Sequence, residues 1–154
     1  MLTFIISVFV LIVDQYTKII AMRSLASGPI EVIKGIFNLT LVHNTGAAFG
    51  ILQNARWFFL FSTPLIIIAI IAFLILNKDR NILTQISLAL IIGGALGNYA
   101  DRLRYGYVID FFDFMIWPVF NVADSCVVIG TILFAWYIYF SNGKNIESIN
   151  KKKN

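Results

Sequence analysis

Four long apolar segments dominate the sequence, over residues 2–20, 56–76, 82–100 and 119–140. Each has about the 20 residues that a helix needs to cross the hydrocarbon core of a bilayer. Only 13% of the 154 residues are charged, against about 25% in soluble domains. The segments are apolar on all sides, which excludes amphipathic surface helices of a soluble protein. The sequence therefore predicts an all-α integral membrane protein, a single domain over 1–154 with four transmembrane helices.

Composition also limits the partners and cofactors. The formal net charge is +4, but the basic residues flank apolar segments or form the tail Lys151, Lys152 and Lys153, which indicates membrane lipids rather than nucleic acid. One cysteine, Cys126, cannot form an internal disulfide, and one histidine, His43, is too few for a histidine metal site. We expect no cofactor, no metal and no nucleic acid.

The distribution of basic residues predicts the orientation in the membrane. Lys78 and Arg80 lie in the tight second connection, and Lys144 and the terminal lysines lie in the tail. The positive-inside rule then places both termini and the tight connection in the cytoplasm. The first segment contains Asp14 and Lys18 and has no basic leader, so we expect a retained span rather than a cleaved signal peptide.

The first outer connection, residues 21–55, is too long for a plain link. Phe37, Leu39 and Leu41 alternate with other residues in a period of two, which is typical of a strand. Two glycines, Gly46 and Gly50, frame small residues beyond it. We predict a small extracytoplasmic β-sheet on the membrane surface, a turn and a partly immersed outer segment.

In this topology the polar residues of separate segments reach one depth. Asp14 falls in the outer half of the first span, and Asn98 and Asp101 fall at the outer end of the third. Asn121 and Asp124 fall in the first turns of the fourth, on the order of 10 Å below the outer boundary. Ionisable residues within membrane spans mark functional sites by default. The sequence therefore predicts one polar site just under the outer face.

Two pairs of residues in the spans have both a structural and a functional interpretation. Asp14 and Lys18 are four positions apart and share a helix face. They form either a self-neutralising pair with Lys18 snorkelling outward, or two polar groups that line the site and touch substrate or a loop. Gly93 and Gly97 have the GxxxG spacing that allows close helix packing.

Further polar residues follow along the third span. Asn98 lies one turn deeper than Asp101 and can hydrogen-bond a facing helix. Arg102 is expected to hold Asp101, a phosphate or a peptide carbonyl.

The carboxyl groups of Asp110 and Asp124 are the candidates for chemistry. Pro118 prevents a continuous helix between them, so the chain can fold back and bring them together. Two adjacent carboxyl groups share one proton, so one can act as general base toward water and the other as general acid. Asp124 could instead be a structural partner of Asn98 or Asp14. Asp113 is expected to be an interfacial surface charge.

Five motifs in order resemble the lipoprotein signal peptidases, or signal peptidase II: DQYTK (14–18), NTGAAFG (44–50), GGALGNYADR (93–102), VIDF (108–111) and FNVADS (120–125). The resemblance implies a bacterial plasma-membrane aspartic endopeptidase that cuts prolipoproteins before a diacylglyceryl-modified cysteine, with Asp110 and Asp124 as the catalytic pair. The supporting positions it implies are Asp14, Asn44, Asn98, Asp101, Arg102 and Asn121. The segment from Asp110 to Asp124 is a few residues shorter than is usual in the family.

Two other functions and one other assignment stay open. Membrane carboxylates also mark ion paths, as in a proton- or cation-coupled transporter, although such a protein should place polar groups near the midplane. A structural subunit of a membrane complex would use polar residues only to hold helices together. Within the protease interpretation, Asp101 could replace Asp110 as the partner of Asp124.

Overall fold

The computed structural model describes residues 1–46, 51–77 and 81–151, with the side chains described as far as residue 140. Its four helices are α1 (Leu2–Ser24), α2 (Arg56–Leu76), α3 (Ile82–Arg104) and α4 (Val122–Lys151). The first three, and Val122–Phe140 of α4, are long and apolar enough to cross a membrane. The four apolar segments of the sequence therefore correspond to four helices.

The start of α4 shows how the sequence sets a helix boundary. The helix begins at Val122, three residues later than predicted, because Asn121 forms its N-cap. The Asn121 side-chain oxygen accepts a hydrogen bond from the Asp124 amide (2.8 Å), and the Asp124 carboxylate accepts one from the Asn121 amide (3.3 Å). This reciprocal pair has the form of a capping box. It fixes the Asp124 side chain at the helix entrance.

Other helix ends also differ from the predicted spans. Helices α1 and α3 each continue four residues beyond the predicted ends at residues 20 and 100, and α4 continues to Lys151 instead of ending at 140. The extension takes α3 past the end of the apolar segment to Arg104. The Arg56 side chain caps this end of the helix. Arg56 donates hydrogen bonds to the carbonyl oxygens of Arg102 (3.0 Å) and Leu103 (3.2 Å).

Helix α3 packs against all three other helices, and its glycines allow the close contacts. A Cβ atom at Gly93 would lie 2.7 Å from the Ser7 carbonyl oxygen of α1, and one at Gly94 would collide with the Ala123 carbonyl oxygen of α4. Gly97 faces the Asp14 carboxylate equally closely. The GxxxG prediction is therefore confirmed.

We expect Gly94→Ala to lower stability by about 1–3 kcal/mol, the usual range for overpacking. The added methyl group would meet backbone, which can move only if α3 and α4 separate. Thermal unfolding of the purified protein in detergent measures the effect. An unchanged melting temperature would contradict the close approach of these helices.

A three-stranded antiparallel sheet lies at one end of the helix bundle. Its strands are β1 (Ile30–Ile33), β2 (Phe37–Asn44) and β3 (Val108–Asp113), in the order β1-β2-β3. The predicted strand around residues 36–42 is confirmed as β2. In contrast, strand β3, which contains Asp110, was not predicted. The run Val108-Ile109-Asp110-Phe111-Phe112 is rich in β-branched and aromatic residues, so a strand signal was present in the sequence.

The sheet is held to the bundle by an apolar cluster. Ala21 and Leu25 at the end of α1 pack with Phe111 of β3, and Leu39 and Leu41 of β2 pack against them. Phe120 pairs with Phe112 through two backbone hydrogen bonds and returns the chain to the start of α4. This connection brings β3 and the first turn of α4 side by side.

Two predictions fall outside the described residues. The partly immersed segment includes residues 47–50. The orientation depends on Lys78, Arg80, Lys144, Lys151, Lys152 and Lys153, whose side chains the structure does not describe.

Candidate active site

The predicted polar residues form one hydrogen-bonded network at the sheet end of the bundle. Each helix except α2 contributes to it, together with β2 and β3. Its members are Asp14 and Lys18 of α1, Asn44 of β2, Asn98, Asp101 and Arg102 of α3, Asp110 of β3, and Asn121 and Asp124 at the start of α4.

Asn121 links the two candidate catalytic carboxyl groups. Its side-chain nitrogen donates a hydrogen bond to Asp110 Oδ1 (2.7 Å), and its backbone amide donates one to Asp124 Oδ2 (3.3 Å). The strand and the helix are therefore joined through a single residue that bonds both acids. The structure thus connects the predicted acids Asp110 and Asp124 through hydrogen bonds to the same residue, Asn121.

Asn98 holds Asp124 from the opposite side, and the orientation of its amide is determined by its neighbours. Its oxygen accepts hydrogen bonds from Lys18 Nζ (3.0 Å) and Asn121 Nδ2 (3.0 Å). Its nitrogen consequently faces Asp124 and donates to Oδ1 at 2.7 Å. The predicted hydrogen bond from Asn98 to a facing helix is confirmed.

Asp110 is completely buried, and its environment opposes ionisation. Burial, followed by the negative charge of Asp124, raises the pKa of Asp110 to about 7. Hydrogen bonds from Asn44 (2.8 Å) and Asn121, and the positive charge of Lys18, act in the opposite direction. Asn44 reaches Asp110 because Asp110 pairs with Val42, so residue 44 is the diagonal neighbour on the same face of the sheet.

A cavity of about 520 Å³ opens beside the pair. Asp124 and Asn98 border it directly, whereas Asp110 lies behind Asn44, which also borders it. The rest of the wall is mostly apolar: Val108, Trp117, Pro118, Val119, Phe120, Val127, Val128 and Ile129. The cavity therefore combines a polar floor with an apolar wall.

Arg102 also borders the cavity and binds a peptide carbonyl, one of the three partners expected for it. Its guanidinium donates to the Gly46 carbonyl oxygen (2.8 Å) and lies 4.2 Å from the centre of the Phe59 ring. The Gly46 amide in turn donates to the Asn44 side-chain oxygen (2.9 Å). Arg102 thus fixes the backbone beyond β2 and, through it, the orientation of Asn44.

Lys18 does not snorkel outward, so that interpretation of the Asp14–Lys18 pair is wrong. The side chain is only 1% exposed, and its ammonium group lies 2.9 Å from Asp14 and 2.7 Å from Asp101. A snorkelling lysine places its ammonium group in water, whereas this ammonium group contacts two buried carboxylates and the oxygen of the partly buried Asn98. None of Asp14, Lys18 and Asp101 borders the cavity.

Gln15 also belongs to the network, although it was not predicted as a site residue from its position inside the DQYTK motif. Its side-chain nitrogen donates to Asp101 Oδ1 (2.8 Å), and its oxygen accepts from Arg104 (2.9 Å). Its position next to Asp14 was the available signal. Asp113 is half-buried and accepts hydrogen bonds from Thr40 (3.0 Å) and the Met115 amide (2.9 Å), so it is a structural residue of the strand end rather than a free surface charge.

The fold and the site define a multi-pass membrane protein in which two carboxyl groups, of Asp110 and Asp124, accept hydrogen bonds from the same residue, Asn121. The family model described as signal peptidase (SPase) II matches residues 6–140. The chain therefore belongs to the signal peptidase II family, and it is a protease of the aspartic type. This confirms the resemblance carried by the five motifs.

Individual relatives agree with the family match. The lipoprotein signal peptidase of Halothermothrix orenii is 44% identical over 139 residues, which cover 90% of this chain and 95% of the relative. That of Pelotomaculum thermopropionicum is 42% identical over 152 residues, or 98% and 100% of the two chains. A bacterial membrane enzyme solved by the in meso method at 2.3 Å resolution is 37% identical, with a TM-score of 0.84 over 92% of this chain and 90% of its own.

Family membership leaves the transporter and structural-subunit alternatives without support. The distribution of polar residues agrees with this result, since the described network lies at the sheet end of the bundle and not across its middle. Buried polar residues elsewhere in the described helices, such as Ser7 and Ser87, donate hydrogen bonds to helix carbonyl oxygens.

Proposed function

We propose that this protein removes signal peptides from prolipoproteins by cutting the peptide bond before a diacylglyceryl-modified cysteine. The observation that carries the proposal is the Asp110–Asn121–Asp124 connection beside a mostly apolar cavity, which Asp124 borders. The network supplies paired acids. Among the described residues, no group of three or more His, Cys, Asp or Glu side chains is arranged to hold a metal ion. The names of the relatives, lipoprotein signal peptidases, support the same substrate class.

The different environments of the two acids support different roles. Asp124 borders the cavity, so it is the candidate general base that takes a proton from the attacking water. Asp110 is buried with a pKa of about 7, so it can hold a proton near neutral pH and donate it as general acid. Water oxygen then bonds to the carbonyl carbon, the carbon–nitrogen bond breaks, and the leaving amine receives a proton from the pair.

Asn98 and Asn121 are candidates for positioning the pair. They donate hydrogen bonds to Asp124 and Asp110, and carboxylate oxygens held in this way point in fixed directions. Asn44 and Arg102 border the cavity as well, and their amide and guanidinium groups are donors suited to a substrate carbonyl. Hydrogen-bonded support of this kind is what keeps reacting groups in productive geometry.

Asp110 is better supported than Asp101 as the partner of Asp124. The Asp101 carboxylate is already bound by Lys18, Gln15 and the Ile109 amide, whereas Asp110 shares its partner Asn121 with Asp124.

The membrane setting that suits this activity is the bacterial plasma membrane, with both termini in the cytoplasm and the site near the outer face. Two acyl chains on the substrate cysteine would remain in the outer leaflet and hold the scissile bond at headgroup depth. The apolar wall formed by residues 117–120 and 127–129 is a suitable surface for them. Membrane lipids and the prolipoprotein are the expected partners.

We expect the purified protein in lipid discs to cleave a diacylglyceryl-modified prolipoprotein at least ~100-fold faster than the same precursor without the lipid, because the acyl chains supply much of the binding energy. Mass spectrometry of the products should identify the lipidated cysteine as the new N-terminal residue. Equal rates for the two precursors, or cleavage at another bond, would contradict the proposed substrate class.

A further inference from the structure

Two buried carboxylates outside the catalytic pair each bind the backbone amide that directly precedes a member of the pair. Asp14 Oδ1 accepts a hydrogen bond from the Ala123 amide (2.9 Å), one residue before Asp124. Asp101 Oδ2 accepts one from the Ile109 amide (3.1 Å), one residue before Asp110. Both acids of the pair are therefore attached, through their own backbones, to helices α1 and α3.

The two amides belong to different elements, α4 and β3. Ala123 lies in the first turn of α4, where amide groups have no carbonyl four residues earlier. Ile109 belongs to β3, and its amide donates to Asp101. Both residues are almost completely buried, so each amide needs a protein acceptor. A carboxylate is a strong acceptor for such a group.

Lys18 connects these two attachments. Its ammonium group lies 2.9 Å from Asp14 Oδ2 and 2.7 Å from Asp101 Oδ2, and it donates at 3.0 Å to the Asn98 oxygen. A lysine has three N–H donors, so all three are occupied. The third also holds Asn98, whose nitrogen binds Asp124. The Lys18 ammonium group therefore joins Asp101, which binds the amide before Asp110, to Asp14, which binds the amide before Asp124.

We propose that Lys18 is a positioning residue, and that the Asp14–Lys18–Asp101 bridge sets the spacing of the Asp110/Asp124 pair by holding the amide before each acid. The proposal depends on the proposed function, because it assigns the bridge a task in that reaction. None of the three residues of the bridge lines the cavity, so the bridge acts without touching substrate. Replacing a whole buried ion network by neutral groups is often neutral for stability, whereas removing one partner of it is destabilising.

The test is the kinetics of Lys18→Met, which keeps an unbranched apolar stem and removes the charge. We expect kcat to fall about 100-fold, the effect of a misplacement near 1 Å, while KM stays within about threefold. Ser7→Ala is the matched control, since it removes another buried hydrogen bond between α1 and α3, from Ser7 to the Ala89 carbonyl oxygen. Its kcat should match the wild type.

A second readout distinguishes loss of positioning from general loosening. In Lys18→Met, amide hydrogen exchange should accelerate at Ile109 and Ala123 more than at amides elsewhere in α3 and α4. A uniform acceleration with unchanged kcat would indicate a purely structural bridge and overturn the proposal. A rise in KM without a fall in kcat would overturn it too, because it would mean that Lys18 binds substrate.

Because Lys18→Met leaves two buried carboxylates without their cation, a neutral variant is also needed. A triple variant that combines Lys18→Met with Asp14→Asn and Asp101→Asn keeps an oxygen acceptor for each amide. It buries no unpaired charge. We expect this variant to fold and to show the same fall in kcat. Wild-type kcat, or failure of both variants to fold, would reject a positioning role.

Loss of cleavage in Asp110→Asn alongside normal kcat in Lys18→Met would reject this inference and leave the proposed function intact. Normal cleavage by Asp110→Asn would instead reject the function.

Discussion

Replacement of Asp110 or Asp124 by asparagine is expected to lower kcat by at least about 1000-fold while the protein still folds. Each variant keeps the side-chain shape and one oxygen acceptor for the hydrogen bonds from Asn121 and Asn98. Each removes the proton exchange that general acid–base catalysis requires, a contribution of typically 10²–10⁴-fold per group. Cleavage of a diacylglyceryl-modified prolipoprotein in lipid discs, followed by gel shift and mass spectrometry, measures the loss.

Asp113→Asn is the matched control for these variants. Asp113 lies on the same strand, three residues from Asp110, but its oxygens bind Thr40 and the Met115 amide away from the cavity. Its kcat should stay within about threefold of the wild type. Normal processing by Asp110→Asn or by Asp124→Asn would remove the catalytic assignment. Activity lost in all three variants alike would point to the strand rather than to the pair.

The helices and the shared depth of their polar residues could be predicted from the sequence because a bilayer allows few alternatives. An apolar run of about 20 residues has to form a helix there, since its backbone polar groups have no other partners. A polar residue within such a run costs free energy unless it meets another. Asp14, Asn98 and Asp124 therefore had to face one another, and their positions along the spans were sufficient to show it.

The strand that carries Asp110 and the partners of Lys18 could not be predicted in the same way. Strand β3 is six residues long and pairs with β2, about 70 residues earlier in the chain, so its partner is a long-range choice. Lys18 had an acid four positions away on its own helix, and that local pair concealed its second partner, Asp101. Helical spacing identifies which residues are neighbours on one helix. It does not show which residues of other elements the fold brings into contact with them.

The start of α4 illustrates how one motif can serve structure and chemistry together. Asn121 and Asp124 cap the helix reciprocally, which is sufficient reason for both residues on structural grounds. The Asn121 nitrogen is then left for Asp110 and Asn98. Capping thus fixes the direction of an acid at the edge of the cavity. Spacing alone had left Asp124 with either a structural or a catalytic interpretation, and its geometry is compatible with both at once.

The pH dependence of cleavage is the second large effect that we expect. The pair works with one proton, which Asp110 holds with a pKa of about 7 because burial and the charge of Asp124 oppose its ionisation. Above that pH Asp110 loses its proton, and the general acid is lost. We expect kcat/KM to fall about tenfold per pH unit on the alkaline side, so by about 100-fold at pH 9, with an apparent pKa that belongs to the pair.

A matched variant tests whether this alkaline limb reports on Asp110. The Asn44 side chain donates to Asp110 Oδ2 and favours the ionised form, so Asn44→Ala should move the limb to higher pH. Ser7→Ala, remote from the network, should leave it in place.

The folded protein holds the Asp110 proton more tightly than the unfolded chain does. Its stabilising contribution is therefore complete below the ordinary value of 3.8 and declines as the pH rises through about 7. Melting temperatures of the wild type and Asp110→Asn across this range provide an independent measurement. An alkaline limb that Asn44→Ala does not move, together with no pH-dependent difference between the two melting temperatures, would mean that another group sets the limb.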